Sequence, residues 1–162
     1  MCLLSLLSCS LSAADKVYEK PTEFLKRSFG TPPKTQAITL DAQQLKELKS
    51  IIGRNKFPKK IRYWGSGGKL AWILERKGKN ELITTGLLID DGKILELKVL
   101  VYRESHGWEV ARPFFTKQFT GASLDGNQLS TKVDGIVGAT LSVNSLKKLA
   151  AAALYLSQQV EK

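Results

Sequence analysis

The residues of this chain best suited to bind a ligand form one short run near its C-terminal end. Residues 134–142 read Asp-Gly-Ile-Val-Gly-Ala-Thr-Leu-Ser, and an apolar stretch with helical spacing follows over residues 144–160. A helix N-terminus offers unpaired N–H groups and a partial positive charge, so it can bind an anion such as phosphate. It can equally be capped by a hydroxyl side chain, here Thr140 or Ser142. The residues alone leave both interpretations open.

Other kinds of active site find little support in the sequence. Both cysteines, Cys2 and Cys9, lie within the first fourteen residues. If that segment is removed, the remaining chain has no thiolate nucleophile, disulfide or cysteine-ligated metal. His106 is the only histidine, which argues against a catalytic triad and against a histidine-based metal site. We therefore predict no catalytic residue and no metal ligand.

The formal net charge of +10 is high for a chain of 162 residues. Such a charge suits nucleic acid, an anionic membrane surface, a phosphorylated ligand or an acidic protein partner. The basic residues are scattered along the chain, however, and no basic helix or aromatic RNA-binding signature accompanies them. We expect no nucleic-acid partner.

The first fourteen residues carry no charged side chain and end in Ser-Ala-Ala. This pattern predicts a secretory signal peptide that is cleaved after Ala14. Two alternatives stay open: a lipoprotein leader with Cys9 as the lipidated residue, and a buried N-terminal helix. No apolar run reaches the roughly 18 residues of a membrane span. We expect an exported protein, periplasmic or on the outer face of the cytoplasmic membrane, with residues 15–162 forming one domain.

The elements that would position residues 134–142 are helices and strands with clear boundary signals. A capping pattern at Asp41 and a glycine at Gly53 delimit one helix. From Lys60 the hydrophobic period changes to that of strands, and an Asp-Gly turn at residues 91–92 separates the last two of them. About four strands follow one another as an antiparallel meander.

The same patterns predict three further features. In the last strand, alternation predicts one shared face for Leu95, Leu97, Val99 and Val101. A short helix opens at Arg112-Pro113, and residues 124–131 are predicted to be loop. Together with the apolar stretch at the C-terminus, these segments predict an α+β fold. An antiparallel sheet of about four or more strands packs against helices, including a long C-terminal helix.

Residues 134–142 resemble the FMN attachment motif of the FMN-binding domain family. This family includes the periplasmic subunits of the sodium-pumping quinone reductase and of the Rnf electron-transport complex. The segment Glu104-Ser105-His106-Gly107 is similar to the family's Glu-Thr-Pro-Gly, with His106 in place of proline. Val137 stands where the family usually has serine or threonine. The resemblance covers about residues 70–156. The part before it, with Arg62-Tyr63-Trp64, is similar to small stand-alone exported members.

The resemblance implies that FMN is attached through its phosphate to Thr140 by a separate FMN transferase, which uses FAD and magnesium. It also implies a set of cofactor-binding residues, with Asp134 orienting the loop or being recognised by the transferase. These residues are Thr140, Ala139, Gly138, Leu141, Ser142, Asp134, Gly135, Glu104, Ser105 and Gly107.

The function implied by the resemblance is electron transfer between membrane or periplasmic redox partners, rather than catalysis by a stand-alone enzyme. Two alternatives stay open. One is an exported module, for example a sensor, that holds FMN or another phosphorylated ligand without a covalent bond. The other is a small reductase in which His106 and Glu104 supply protons.

Overall fold

The computed structural model describes residues 15–53 and 57–160, and its main feature is one six-stranded antiparallel sheet in the order β1-β6-β5-β4-β3-β2. These strands are β1 (Lys16–Val17), β2 (Gln36–Thr39), β3 (Lys60–Ser66), β4 (Lys69–Lys77), β5 (Leu82–Asp90) and β6 (Lys93–Tyr102). The predicted meander corresponds to β3–β6, and two short strands extend it at the edges. The predicted α+β fold is confirmed. The predicted leader, residues 1–14, lies outside the described residues.

Helices cover both faces of this sheet. They are α1 (Pro21–Phe29), α2 (Ala42–Ile52), α3 (Pro113–Thr116) and α4 (Thr140–Val160). Successive residues of a strand point to opposite faces, and accordingly Trp72 packs in the larger core cluster with α2 and α4, whereas Ala71 packs in a smaller cluster with Phe24 of α1. The C-terminal helix therefore lies on the sheet as predicted. No helix within residues 15–53 and 57–160 combines the length and apolar character needed to cross a bilayer.

The predicted boundaries of α2 are confirmed at both ends. The backbone N–H of Gln44 donates to Asp41 Oδ1 at 2.8 Å, and the backbone N–H of Asp41 donates to Gln44 Oε1 at 2.9 Å. This reciprocal pair satisfies two of the N–H groups that a helix start leaves unpaired. At the other end Gly53 adopts a left-handed conformation with φ 67°, which glycine adopts without steric cost.

The alternation predicted for β6 is wrong at two of its four positions. Leu97 and Val99 lie in the larger core, but Leu95 is 40% exposed and Val101 belongs to the cluster beneath α1. The pairing of β5 with β6 shifts register twice, between Thr84 and Thr85 and between Leu88 and Ile89. Each shift inserts an extra residue into β6, and such a bulge reverses the faces of the residues that follow.

The segment between β6 and α4 contains more structure than predicted. Two 3₁₀ turns, Trp108–Ala111 and Lys117–Phe119, flank α3. The predicted loop over residues 124–131 contains a small hairpin of β7 (Leu124–Asp125) and β8 (Gln128–Leu129). Two-residue strands carry almost no hydrophobic period, so their pattern in the sequence is indistinguishable from that of a loop.

Two side-chain contacts fix α4 against the sheet. Near its C-terminal end, Trp72 Nε1 donates a hydrogen bond of 2.8 Å to the buried Ser157 Oγ. Near its N-terminal end, the Ser145 hydroxyl donates to the carbonyl of Lys77 and accepts from Arg76 Nη1 at 2.6 Å. Because both ends are held, the position of Thr140 at the start of α4 is set by the sheet.

A glycine in β5 allows α1 to pack closely on the sheet. A Cβ at Gly86 would lie 2.9 Å from the Phe24 ring. We expect Gly86→Ala to lower the free energy of unfolding by about 1–3 kcal/mol through overpacking, which outweighs the gain of roughly 0.5–1 kcal/mol from replacing a strand glycine. Urea denaturation measures this. The added Phe24→Leu substitution should recover part of the loss, and Gly135→Ala, which meets no atom within 4 Å, should leave stability unchanged.

Candidate cofactor site at the start of α4

Three segments enclose a cleft of about 410 Å³ at the N-terminal end of α4. They are the turn after β4, the segment after β6 and the turn that leads into α4. The lining residues are Lys79, Asn80, Glu104, Ser105, His106, Gly138, Ala139, Thr140, Leu141 and Ser142. Seven of them belong to the predicted set of ten, although residues 104–105 and 138–142 are far apart in the chain.

A tight turn immediately precedes α4. The N–H of Ala139 donates to the carbonyl of Ile136 at 3.0 Å, which closes a turn over Val137 and Gly138. Gly138 has φ 82°, as the third residue of a type II turn requires, and this conformation is strained for any residue with a Cβ. Glycine is therefore needed at this position for backbone reasons, independent of any ligand.

Thr140 is the first residue of α4 and is exposed. The first hydrogen bond of the helix runs from the N–H of Val143 to the carbonyl of Ala139 at 2.9 Å. The N–H groups of Thr140, Leu141 and Ser142 precede it, and no described residue accepts from them. Such orphan donors, at the positive end of a helix of 21 residues, suit a bound phosphate.

The predicted cap by Thr140 or Ser142 is wrong. The residue at the cap position is Ala139, which has no side-chain acceptor, because the helix begins one residue earlier than a Thr140 cap requires. The Ser142 hydroxyl lies 3.0 Å from Tyr102 Oη instead of at the helix start. Neither hydroxyl therefore caps α4, and the first N–H groups of the helix have no acceptor among the described residues.

A buried tyrosine connects the start of α4 to the segment after β6. Tyr102 Oη donates to the carbonyl of His106 at 2.5 Å and lies 3.0 Å from Ser142 Oγ. Since a phenol has a single proton, the Ser142 hydroxyl donates to Tyr102. Burial raises the pKa of the Tyr102 phenol, which keeps that proton in place. Ser142 thus holds the wall of the cleft, and its own proton is directed away from a ligand.

A buried carboxylate joins the segment after β6 to the turn after β4. Glu104 Oε1 accepts from the backbone N–H groups of Lys79, Asn80 and Glu81 at 2.5, 2.7 and 3.0 Å. Hydrogen bonds to a charged acceptor are stronger than neutral ones, so Glu104 is a major determinant of the cleft's shape. Its Oε2 has no partner among the described residues and is not fully buried, so it remains available to a ligand donor.

Two glycines allow the three segments to approach one another. A Cβ at Gly78 would lie 2.8 Å from Glu104 Oε1 and 3.0 Å from Ser142 Oγ. A Cβ at Gly107 would lie 3.0 Å from both Ala139 Cβ and Tyr102 Oη. Gly107, a predicted site residue, therefore does not line the cleft but packs behind it.

Asp134 and Gly135, the other two predicted residues outside the lining, precede the turn into α4. The backbone N–H of Asp134 donates to Gln118 Oε1 at 2.8 Å, and its carboxylate lies 4.0 Å from Lys132 Nζ at the surface. Val137 is also absent from the lining, and its side chain is fully exposed.

Sequence analysis did not assign Gly78, Lys79, Asn80 or Tyr102 to the site. A turn signal marks residues 77–80, but their approach to Glu104 depends on the pairing of β4, β5 and β6. Tyr102 ends an apolar strand and is indistinguishable from a core residue by pattern. The sequence does contain one signal for this part of the site. A turn, a carboxylate and a glycine stand at the ends of consecutive strands, and such ends meet at one edge of an antiparallel sheet.

Comparison with protein families assigns this region. The FMN-binding domain matches residues 78–155, a range that contains every residue lining the cleft. Residues 78–155 therefore belong to the FMN-binding domain family, as the resemblance predicted, and the protein is an FMN-binding protein. Comparisons with curated proteins and with solved structures gave no significant match.

The link through Tyr102 can be tested by a double-mutant cycle. We expect Tyr102→Phe to lower the free energy of unfolding by about 1–3 kcal/mol, because it leaves the buried Ser142 hydroxyl without its acceptor. Adding Ser142→Ala should cost less than the sum of the single changes, because both partners are then removed. Strict additivity in urea denaturation would contradict the link. Tyr63→Phe, which removes an exposed hydrogen bond to Gln36, serves as the matched control.

Proposed function

We propose that FMN is attached covalently to Thr140 Oγ1 through a phosphoester, and that the protein carries electrons between membrane or periplasmic redox partners. The observation that supports this most directly is the position of Thr140. Its exposed side chain belongs to the first residue of α4, on a cleft within the family match, beside three N–H groups without an acceptor among the described residues.

The start of α4 suits an esterified phosphate electrostatically. A phosphate diester retains one negative charge, and the N–H groups of residues 140–142 with the helix dipole offer a matching positive potential. Gly138 and Ala139 keep bulky side chains away from this backbone. Lys79 lines the facing wall of the cleft and adds a cation opposite the helix end.

Bond formation at Thr140 requires an activated phosphate, which FAD supplies. The Thr140 hydroxyl oxygen attacks the phosphorus atom on the FMN side of the FAD pyrophosphate. The new O–P bond replaces the pyrophosphate O–P bond, AMP leaves, and the hydroxyl proton is lost to base. A separate FMN transferase with magnesium is the proposed catalyst, since Thr140 is reachable from solvent.

The remaining walls of the cleft would orient the flavin. When bound, FMN accepts and releases one or two electrons. Glu104 Oε2 is an acceptor available to ligand N–H or O–H groups, and Ser105 and His106 line the same wall. Because Glu104 Oε1 is held by three N–H groups, this acceptor is fixed in position before the ligand binds.

Val137 departs from the family pattern but lies outside the cleft. Its side chain is fully exposed at the turn before α4, so a hydroxyl there would also point into solvent. The departure therefore removes no contact from the cleft and bears on recognition by the transferase instead.

The covalent bond is tested by Thr140→Val, which preserves the shape of the side chain and removes the nucleophile. With the protein and an active FMN transferase expressed together in the periplasm, we expect wild-type protein to show flavin fluorescence after denaturing electrophoresis. Thr140→Val should lose that fluorescence completely. Thr131→Val, at an exposed threonine outside the cleft, should retain it.

Each alternative gives a different result in the same experiment. Wild-type protein that is yellow when folded and colourless after denaturation would establish non-covalent binding. Turnover of a small electron acceptor that is lost in His106→Ala would establish a reductase. If the protein transfers electrons between protein partners through covalent FMN, we expect neither loss of flavin on denaturation nor this turnover.

We also propose that the chain is exported and that residues 1–14 act as a cleaved leader. The intact mass of protein purified from the periplasm should correspond to a chain beginning at Asp15, increased by one FMN moiety when the transferase is present. A mass with residues 1–14 retained, or with lipid on Cys9, would refute cleavage after Ala14.

A further inference from the structure

An exposed indole next to the cofactor cleft is held between two cations. Lys16 Nζ lies 5.6 Å from the ring centroid of Trp108, and the guanidinium carbon of Arg112 lies 5.4 Å from it. Both distances allow cation–π attraction. The indole is 37% exposed, so these two contacts position a ring that is otherwise only partly packed.

Neither cation is neutralised by an ion pair. Among the described residues, Arg27 pairs with Glu19 and Glu96, and Arg103 pairs with Asp15 and Glu75, whereas no ion pair involves Lys16 or Arg112. Glu109 lies in the same segment, so two positive charges stand against one negative charge. The surface around Trp108 therefore has a net positive charge.

Two exposed aromatic residues each stand two positions from one of these cations in the chain. Tyr18 is 39% exposed and Phe114 is 63% exposed. Burial raises the pKa of the Tyr18 phenol, and the positive charge of Arg112 acts to lower it. We call Lys16, Tyr18, Trp108, Arg112 and Phe114 the Trp108 patch. Tryptophan, tyrosine and arginine are the residue types that dominate the binding energy of protein interfaces.

Part of the Trp108 patch follows directly in the chain on the segment that lines the cofactor cleft. Trp108 follows Gly107, which packs against Ala139 behind the cleft, and His106 lines the cleft itself. A protein bound to the patch would therefore lie next to the segment that lines the proposed flavin site. Transient electron-transfer complexes use small interfaces, and a few well-positioned side chains are enough for one.

We propose that the Trp108 patch is the docking surface for an acidic redox protein that exchanges electrons with the cofactor. This inference rests on the proposed function. Positive charge on the patch complements an acidic surface and would steer the encounter, while the pre-positioned indole supplies a rigid anchor. An anionic bilayer would gain only about 1 kcal/mol from each of the two cations, so a protein partner makes better use of the arrangement.

The test is calorimetric titration of the protein, with and without flavin, against the acidic haem domain of cytochrome b5. Basic cytochrome c is the opposite-charge probe. Arg112→Glu should weaken binding of cytochrome b5 about tenfold or more, whereas Arg62→Glu, the same charge change at an exposed position on β3, should change it by less than about threefold. Trp108→Ala should weaken binding by a similar factor. The control is Leu95→Ala, which removes an exposed apolar side chain in the β6 bulge.

Four results would overturn the docking surface. Cytochrome b5 could fail to bind wild-type protein at low ionic strength, or cytochrome c could bind as tightly. Arg62→Glu could weaken binding as much as Arg112→Glu, which would mean that net charge alone is recognised. The patch variants could instead fail to cosediment with phosphatidylglycerol vesicles while still binding cytochrome b5, which would identify the patch as a membrane-binding surface. Because binding is measured both with and without flavin, the absence of covalent FMN would refute the proposed function independently of the result for the docking surface.

Discussion

The cofactor cleft depends on the hydrogen bonds of one buried carboxylate. Glu104 extends from the end of β6 and accepts three backbone N–H groups from the turn after β4. An uncompensated buried carboxylate would be costly, and these donors satisfy it while fixing the turn. Gly78 leaves the space that this contact needs. The contact therefore holds the turn after β4 and the segment after β6 together beyond the ends of their strands.

The second constraint is the placement of the helix start against that wall. Tyr102 bonds to the carbonyl of His106 and to Ser142, and the same helix is anchored further along by Ser145 and Ser157. Hydroxyls within an apolar helix thus act as fixed attachment points rather than as ligand contacts. Their effect is to leave the backbone donors of residues 140–142 facing a pre-shaped cavity.

Local signals predicted the parts of this structure that local chemistry determines. The capping box at Asp41 and the Asp-Gly turn before β6 follow from residue types and spacing, whereas α4 begins at Thr140, before the helical stretch of residues 144–160 that the spacing indicated. The bulges in β6 were not predictable, because a bulge depends on how two strands pair and leaves the composition of either unchanged. For the same reason Lys79 and Asn80 could not be assigned to the site, although Glu104 and Thr140 could be through family resemblance.

The cross-links that form the cleft all join atoms of the chain itself. Glu104 accepts from three backbone N–H groups of the turn after β4, and Tyr102 bonds to the His106 carbonyl and to Ser142. This has a consequence for biogenesis. On the proposed function, the folded polypeptide would be the form that presents Thr140 to the transferase, and folding would precede attachment of FMN.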